Sequence, residues 1–404
     1  MNNIVGQPVE GDDFFDRSRE VESLWESLNG GNHVLLLAPR RVGKTSLALR
    51  IGEKAKIEGW KFAWVDVQKD RDELGLLSDL LENLQVAGLK LPLLARLSNA
   101  VALARRQVSG KVEVWGMSFE VGEPGQPQTA TLEHLVNKLF TQLEAAQDKI
   151  LIAVDELPVF LGELLGDDAS AGRLRAFLNW FRALRLRYRK TVRWLLLGSV
   201  GLDSFVENHS LTATINDLDT ATLGAYTEED AVAFLRTLGQ GKRLEMPDAV
   251  CREVLRQIGW PLPFFLQLVF QRLYANLDRQ RRALDPADVE TACRQLIGCE
   301  FYKHFEPWRG RLAEGLGPDE YQAAMAMLNA LCVQPQGLTR EALLGIIRPK
   351  FLQRDAGEMA HLLAAVLGQL ERDGYLWRTD TEPASRYAFR SFLLRQYWQA
   401  REIL

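Results

Sequence analysis

The stretch from His33 to Leu49, HVLLLAPRRVGKTSLAL, constrains this chain more than any other. Val34 to Leu37 form a short apolar run, the pattern of a strand buried on both faces of a parallel sheet. Gly43-Lys44-Thr45-Ser46 follows where that strand hands over to a helix. Such a junction points backbone N–H groups and the positive end of a helix dipole at an anion. A lysine there reaches outer phosphates and a hydroxyl on the next residue ligates Mg²⁺, so Lys44 and Thr45 have distinct tasks. The phosphate-loop pattern is glycine, four residues, then Gly-Lys-Ser/Thr, and Ala38 stands where the first glycine belongs. Strand, turn, Gly-Lys-Thr-Ser and helix in this order predict a phosphate cradle. The bland alternative, a turn with a surface lysine, gives no reason for Pro39, Arg40, Arg41 and Gly43 at this place.

A second stretch, Lys149 to Glu156, is an apolar strand ending in two acids. Two adjacent carboxylates directly after buried apolar residues are otherwise awkward to place. Beside a phosphate cradle they complete a hydrolysis site: Asp155 holds the Mg²⁺ shell, and Glu156 orients and deprotonates the attacking water. The pair therefore predicts an active P-loop ATPase, with ATP/ADP and Mg²⁺ as its ligands. Asp66, near the end of the strand Trp60 to Val67, either faces the same site or caps the following helix.

At 404 residues and 47% hydrophobic content the chain is expected to form two or three domains. The 49 basic and 53 acidic residues nearly balance, so no long-range field marks nucleic acid or membrane as a partner. Four cysteines without a C-x-x-C pair point to a reducing compartment and away from zinc. The polar start MNNIVGQPVEGDD does not read as a signal peptide, and the apolar Pro261 to Phe270 is too short to span a bilayer. The expectation is a cytoplasmic protein with no membrane contact.

The pattern divides into an ATPase core over 1–225, a helical lid over 226–317 and a winged helix over 318–404. An insertion at about 87–128 interrupts the core, with Lys111 to Val121, broken at Gly116, reading as a β-hairpin. The segment Arg173 to Arg193 carries eight basic residues and no acid. It serves either as a nucleic-acid face, as the source of an arginine finger, or as a solvated face paired with acidic loops. From Pro318 to Leu404 ten lysines and arginines meet ten acids, whereas a DNA reader usually carries a basic excess. Protein partner, DNA and the ATPase core itself all stay open as the winged helix's contact.

Several segments carry a family resemblance: Pro39 to Ser46, Val154-Asp155-Glu156, Gly198 to Gly201, Gly259-Trp260-Pro261 and Tyr387 to Ser391. Phe14 to Glu20 adds a lead-in similar to F-x-G-R-x-x-E, with Asp16 in the glycine's place. On these residues the chain resembles the archaeal-type P-loop ATPases of the STAND branch, relatives of AAA+ proteins. The resemblance implies an α/β fold: a five-stranded parallel sheet with the catalytic strand beside the phosphate-loop strand, then an α-helical lid and a winged helix. It implies nucleotide contacts from Arg17, from Pro39, Arg40, Arg41, Val42, Gly43, Lys44, Thr45 and Ser46, and from Pro261. It further implies Mg²⁺ at Thr45 and Asp155, and Lys44, Asp155, Glu156 and a γ-phosphate sensor, Ser199, in catalysis. The expected function is an ATP-hydrolysing switch acting on a protein partner, able to form nucleotide-dependent homo-oligomers. Two alternatives stand beside it: a DNA-binding initiator or transposition helper, and a nucleotide-bound scaffold with negligible turnover.

Overall fold

The computed structural model describes residues 1–70, 72–89, 94–95, 97–98, 101, 118–120, 129–165, 171–199, 206, 210–277, 283–298, 303–379 and 385–402. Contacts divide the chain into two compact units. One comprises Arg17–Ala38 and Lys44–Leu223; the other comprises Met1–Asp16, Pro39–Gly43 and Gly224–Leu404.

The first unit opens with α1 (Ser18–Gly30), β1 (His33–Ala38), α2 (Lys44–Ile57), β2 (Lys61–Asp66) and α3 (Glu73–Val86). A short hairpin of β3 (Ser118–Glu120) and β4 (Thr129–Thr131) comes next, then α4 (Leu132–Ala145) and β5 (Ile150–Asp155). α5 (Leu157–Leu165), α6 (Ala171–Arg187), β6 (Val192–Ser199) and β7 (Leu218–Thr222) complete it. Every residue of β1 and β5 is buried, as continuous apolar strands covered on both faces must be. The five-stranded sheet is parallel throughout, in the order β2-β5-β6-β1-β7. The expected neighbouring of catalytic and phosphate-loop strands is therefore corrected: β6 lies between β5 and β1. An apolar strand carries no label for its neighbour, and β6, buried from Trp194 to Gly198, fits between two others like it. Ser118–Glu120 pairs with Thr129–Thr131, while the first strand and turn of the expected hairpin, residues 111–117, lie outside the described residues. The remainder of the 87–128 insertion, Lys111 to Gly116 included, falls almost wholly outside the described residues.

A buried polar staple fixes the far end of this sheet, at the start of β1. Arg185, 1% exposed, forks onto Asp217 with Nε–Oδ2 and Nη2–Oδ1 distances of 2.9 and 2.8 Å, and its Nη2 donates to the Thr214 carbonyl at 2.6 Å. His33 Nε2 lies 2.9 Å from the Arg185 carbonyl, and its Nδ1 accepts from the Trp194 N–H at 3.3 Å. Those partners suit only the neutral imidazole, because a proton on Nδ1 would face another N–H. Burial first, then the charges of Arg185 and Arg193, push the His33 pKa down to about 4.

The second unit contains α7 (Glu228–Gly241), α8 (Asp248–Ile258), α9 (Pro263–Asn276), α10 (Pro286–Ile297) and α11 (Glu306–Gly315). It ends with α12 (Pro318–Cys332), β8 (Leu338–Thr339), α13 (Arg340–Ile347), α14 (Ala356–Arg372), β9 (Leu376–Thr379), β10 (Arg386–Phe389) and α15 (Phe392–Glu402). β8, β10 and β9 form a three-stranded antiparallel sheet, one strand more than the two expected. Aromatic side chains tie this unit together. Phe265 of α9 stacks on Phe305 and Trp308, Trp308 meets Tyr375 edge-on at 5.2 Å, and Tyr375 and Phe389 both meet Trp398 of α15.

The neutral requirement at His33 gives the fold a pH signature. Its folded pKa lies below the unfolded value, so stability is intact above about 6.5 and is lost as pH falls toward about 4. Thermal unfolding from pH 7.5 to 4.5 should show this loss, on the order of 3 kcal/mol for this group. His33→Leu should flatten the slope, and an unchanged slope would remove His33 as its cause.

Candidate active site

At the carboxyl end of β1 the chain must leave a buried strand and begin α2 within five residues, Pro39–Gly43. It does so through two left-handed positions, Arg41 at φ 70° and Gly43 at φ 94°. Ala38 is the last residue of β1, fully buried and extended, so no glycine is required there. This accounts for the alanine in a position where the sequence pattern asks for glycine. Alternating left-handed residues curl successive N–H groups toward one side, a form suited to anions. Lys44 and Thr45 then open α2 with the helix dipole behind them.

β5 delivers the second half. Thr45 Oγ1 donates to Asp155 Oδ2 at 2.8 Å across 110 residues of chain. Lys44 Nζ lies 3.9 Å from Asp155 Oδ1 and 3.9 Å from Glu156 Oε1. Lys44 and Asp155 are each 6% exposed, so the pair is shielded from water. Glu156 takes a left-handed backbone at φ 57°, uncommon for a residue with a side chain. Its N–H turns back onto Asp155 Oδ1 at 2.9 Å, while its carbonyl starts α5 by accepting from Val159 at 3.0 Å. A left-handed backbone at an acid beside a buried lysine is a strained position that its surroundings must hold.

Burial raises the Asp155 pKa above the usual carboxylate range, and the Glu156 charge adds to it; Lys44 and the Thr45 hydroxyl only partly compensate. The carboxylate is short of positive charge. Among the described residues no group of three or more His, Cys, Asp or Glu side chains forms a metal cage. One carboxylate and one hydroxyl suit Mg²⁺, which keeps waters and takes phosphate oxygens rather than an all-protein shell.

The remaining site candidates fall as follows. Ser46 is buried in the first turn of α2, and Val42 is fully buried in the loop. Ser199 ends β6 and pairs in register with Ala38, so its backbone stands beside the end of the phosphate-loop strand. Asp66 pairs in register with Asp155, and its Oδ1 accepts from Gln68 N–H at 3.0 Å in the turn after β2; it does not cap the following helix, whose cap is Asp72, accepting from Gly75 N–H at 2.8 Å. Arg17 is buried at the start of α1 and reaches Glu20 at 3.2 Å. In the second unit, the Arg41 guanidinium lies 4.2 Å over the Phe264 ring, and the Arg40 charge helps lower the carboxyl of Asp373, which burial raises. The Pro261 carbonyl accepts from Tyr226 N–H at 3.2 Å. Its neighbour Trp260 is buried beneath the Arg390 guanidinium, 4.4 Å from the ring.

The basic stretch Arg173–Arg193 is partly spent on the fold. Arg173 forks onto the fully buried Glu73, Arg182 and Arg185 share Asp217, and Arg193 Nε donates to the Leu28 carbonyl at 2.9 Å. Sequence reasoning missed Phe264, Glu73 and Arg390, for which the residue types alone give no signal.

The order of strands, the Gly-Lys-Thr turn after β1 and the acid pair after β5 define the α/β fold of the P-loop ATPases. The Walker-type ATPase of Pyrococcus abyssi superposes with a TM-score of 0.61 at 19% identity, over 99% of this chain and 100% of its own. The ORC2 protein of Aeropyrum pernix, solved as ADPNP-ADP complexes, superposes with a TM-score of 0.56 at 14% identity, over 98% of each chain. No family model and no curated protein sequence matches the chain. At these identities the likeness is one of fold.

The raised Asp155 pKa fixes a sign. A group whose folded pKa is raised gives its stability at low pH and loses it as pH rises through that value. Asp155→Asn should therefore leave thermal stability at pH 7.5 without divalent metal within about 1 kcal/mol of the parent, or above it. Breaking an ordinary buried ion pair costs about 3–5 kcal/mol, and a loss of that size would contradict this reading.

Proposed function

We propose that the protein is a Mg²⁺-dependent ATP-hydrolysing switch of the STAND type, in which nucleotide state governs a C-terminal winged helix over 318–404. The observation that carries the reading is the meeting of Lys44 and Thr45 with Asp155 and Glu156 within 2.8–3.9 Å. The adenine nucleotides bound to the ORC2 protein of similar fold support the choice of ligand.

In this reading the loop Pro39–Ser46 wraps the phosphates, and Lys44 balances charge on the outer ones. Mg²⁺ held by Thr45 and Asp155 would neutralise charge on the β- and γ-phosphate oxygens. Glu156 takes a proton from water as its oxygen bonds to the γ-phosphorus, and the bond to the β–γ bridging oxygen breaks to leave ADP. Ser199 senses the γ-phosphate, and Arg17 contacts the nucleoside. The lid over 226–317 and the winged helix then respond together, linked through Trp260 and Arg390.

A protein is the better partner for that winged helix than DNA. The exposed face of α14 shows Ala360, His361, Ala364 and Ala365, with no lysine or arginine among them. A groove reader needs cationic side chains on such a helix.

Glu156→Gln tests the hydrolysis site directly. Phosphate release should fall by about a hundredfold or more while ATP stays bound, since general-base loss costs this much. Release at the parent rate would sink the assignment, and ADP bound with no turnover in the parent would favour the scaffold alternative.

A further inference from the structure

Arg41 occupies an unusual setting for a residue of a phosphate loop. Its backbone is left-handed at φ 70°, a conformation disfavoured for a side-chain-bearing residue unless its surroundings hold it. Those surroundings belong to the second unit, which includes Pro39–Gly43 as well as α9. The guanidinium carbon lies 4.2 Å over the centroid of Phe264, in the first turn of α9. Gly6 walls the same pocket: a Cβ there would fall 3.2 Å from Arg41 Nη1 and 3.7 Å from Phe264 Cε2. The His304 ring packs beside Phe264 at 6.1 Å. The next residue, Phe265, stacks on Phe305 and Trp308, so the ring under Arg41 stands on a rigid aromatic base.

We propose that Phe264 is a positioning residue for the phosphate loop: its π face, acting through the Arg41 guanidinium, holds the left-handed turn from which Gly43 and Lys44 lead into α2. The inference rests on the nucleotide-binding reading above and adds a specific contact to it. Phe264 touches neither nucleotide nor reacting atoms. Its effect falls on nucleotide affinity, because a loop that must be ordered at the moment of binding costs affinity rather than chemistry. A planar guanidinium over an aromatic face is attractive where an aliphatic side chain of similar volume offers only packing.

The test is ADP affinity in the full-length protein with Mg²⁺, followed with a fluorescent ADP analogue, together with KM and kcat for ATP. Phe264→Leu should weaken ADP binding about five- to tenfold and raise KM similarly, with kcat little changed. Phe264→Tyr, which keeps the π face, should restore parental affinity. Arg41→Gln leaves the α9 packing in place and should weaken binding comparably. Combined with Phe264→Leu it should add little further loss. Parental affinity in Phe264→Leu, equal losses in the Leu and Tyr variants, or additive losses in the double variant would each overturn the inference. If Phe264→Leu fails to fold, Phe264→Met takes its place: it keeps the volume and packing without the π face and must weaken binding while Phe264→Tyr must not. A parent protein that binds no ADP would instead bring down the nucleotide-binding reading itself.

Discussion

The Thr45–Asp155 hydrogen bond is the contact on which the site's arrangement turns. β6 separates the strands that carry the two halves, and strands two places apart in a sheet lie about 10 Å from one another. Side chains from the two strand ends cannot span that gap directly. The chain closes it by carrying Lys44 and Thr45 forward onto the first turn of α2. That displacement needs a tight loop, and the left-handed backbones at Arg41 and Gly43 supply it. The left-handed Glu156 makes the corresponding bend on the other side, letting one acid face Thr45 while the next approaches Lys44.

The electrostatics follow from the same closeness. Asp155 is buried against a second acid, with a lysine at 3.9 Å as its nearest cation and a hydroxyl as its closest donor. Burial, with the Glu156 charge beside it, raises its pKa by more than Lys44 and the Thr45 hydroxyl lower it. The Arg185–Asp217 pair at the other end of the sheet shows the contrast. It is bidentate, supplemented by a backbone carbonyl, and built to hold structure. Two buried acid–cation contacts in one unit thus have opposite characters, one closed and one left wanting charge.

Much of this was legible in the sequence, and the reasons are local. The runs Val34–Ala38 and Ile150–Val154 are apolar throughout and are followed by turn or acidic residues, so strand type and strand end could both be read. Lys44 and Thr45 could be placed together at a strand-to-helix turn and Asp155 and Glu156 at a strand end, and the structure brings the four within 2.8–3.9 Å of one another. Strand order was not legible, since pairing partners of fully buried strands are set by helix crossovers and not by their own side chains. Nor were the partners of the arginines. Arg173, Arg185 and Arg41 are alike in sequence, yet they meet Glu73, Asp217 and the Phe264 ring. The Gly259-Trp260-Pro261 turn was read for its proline, while the packing centres on Trp260, beneath Arg390 and against Gly374.

Most depends on the proposal that Asp155 and Thr45 hold a divalent cation that arrives with a nucleotide. Calorimetric titration of ATP into the Glu156→Gln protein, which holds the ligand intact, measures this most directly when run with Mg²⁺ and again with EDTA. The account predicts saturable binding with Mg²⁺ that weakens by about tenfold or more, roughly 1.4 kcal/mol, when the metal is removed. Equal affinity in both conditions, or no binding in either, would contradict it.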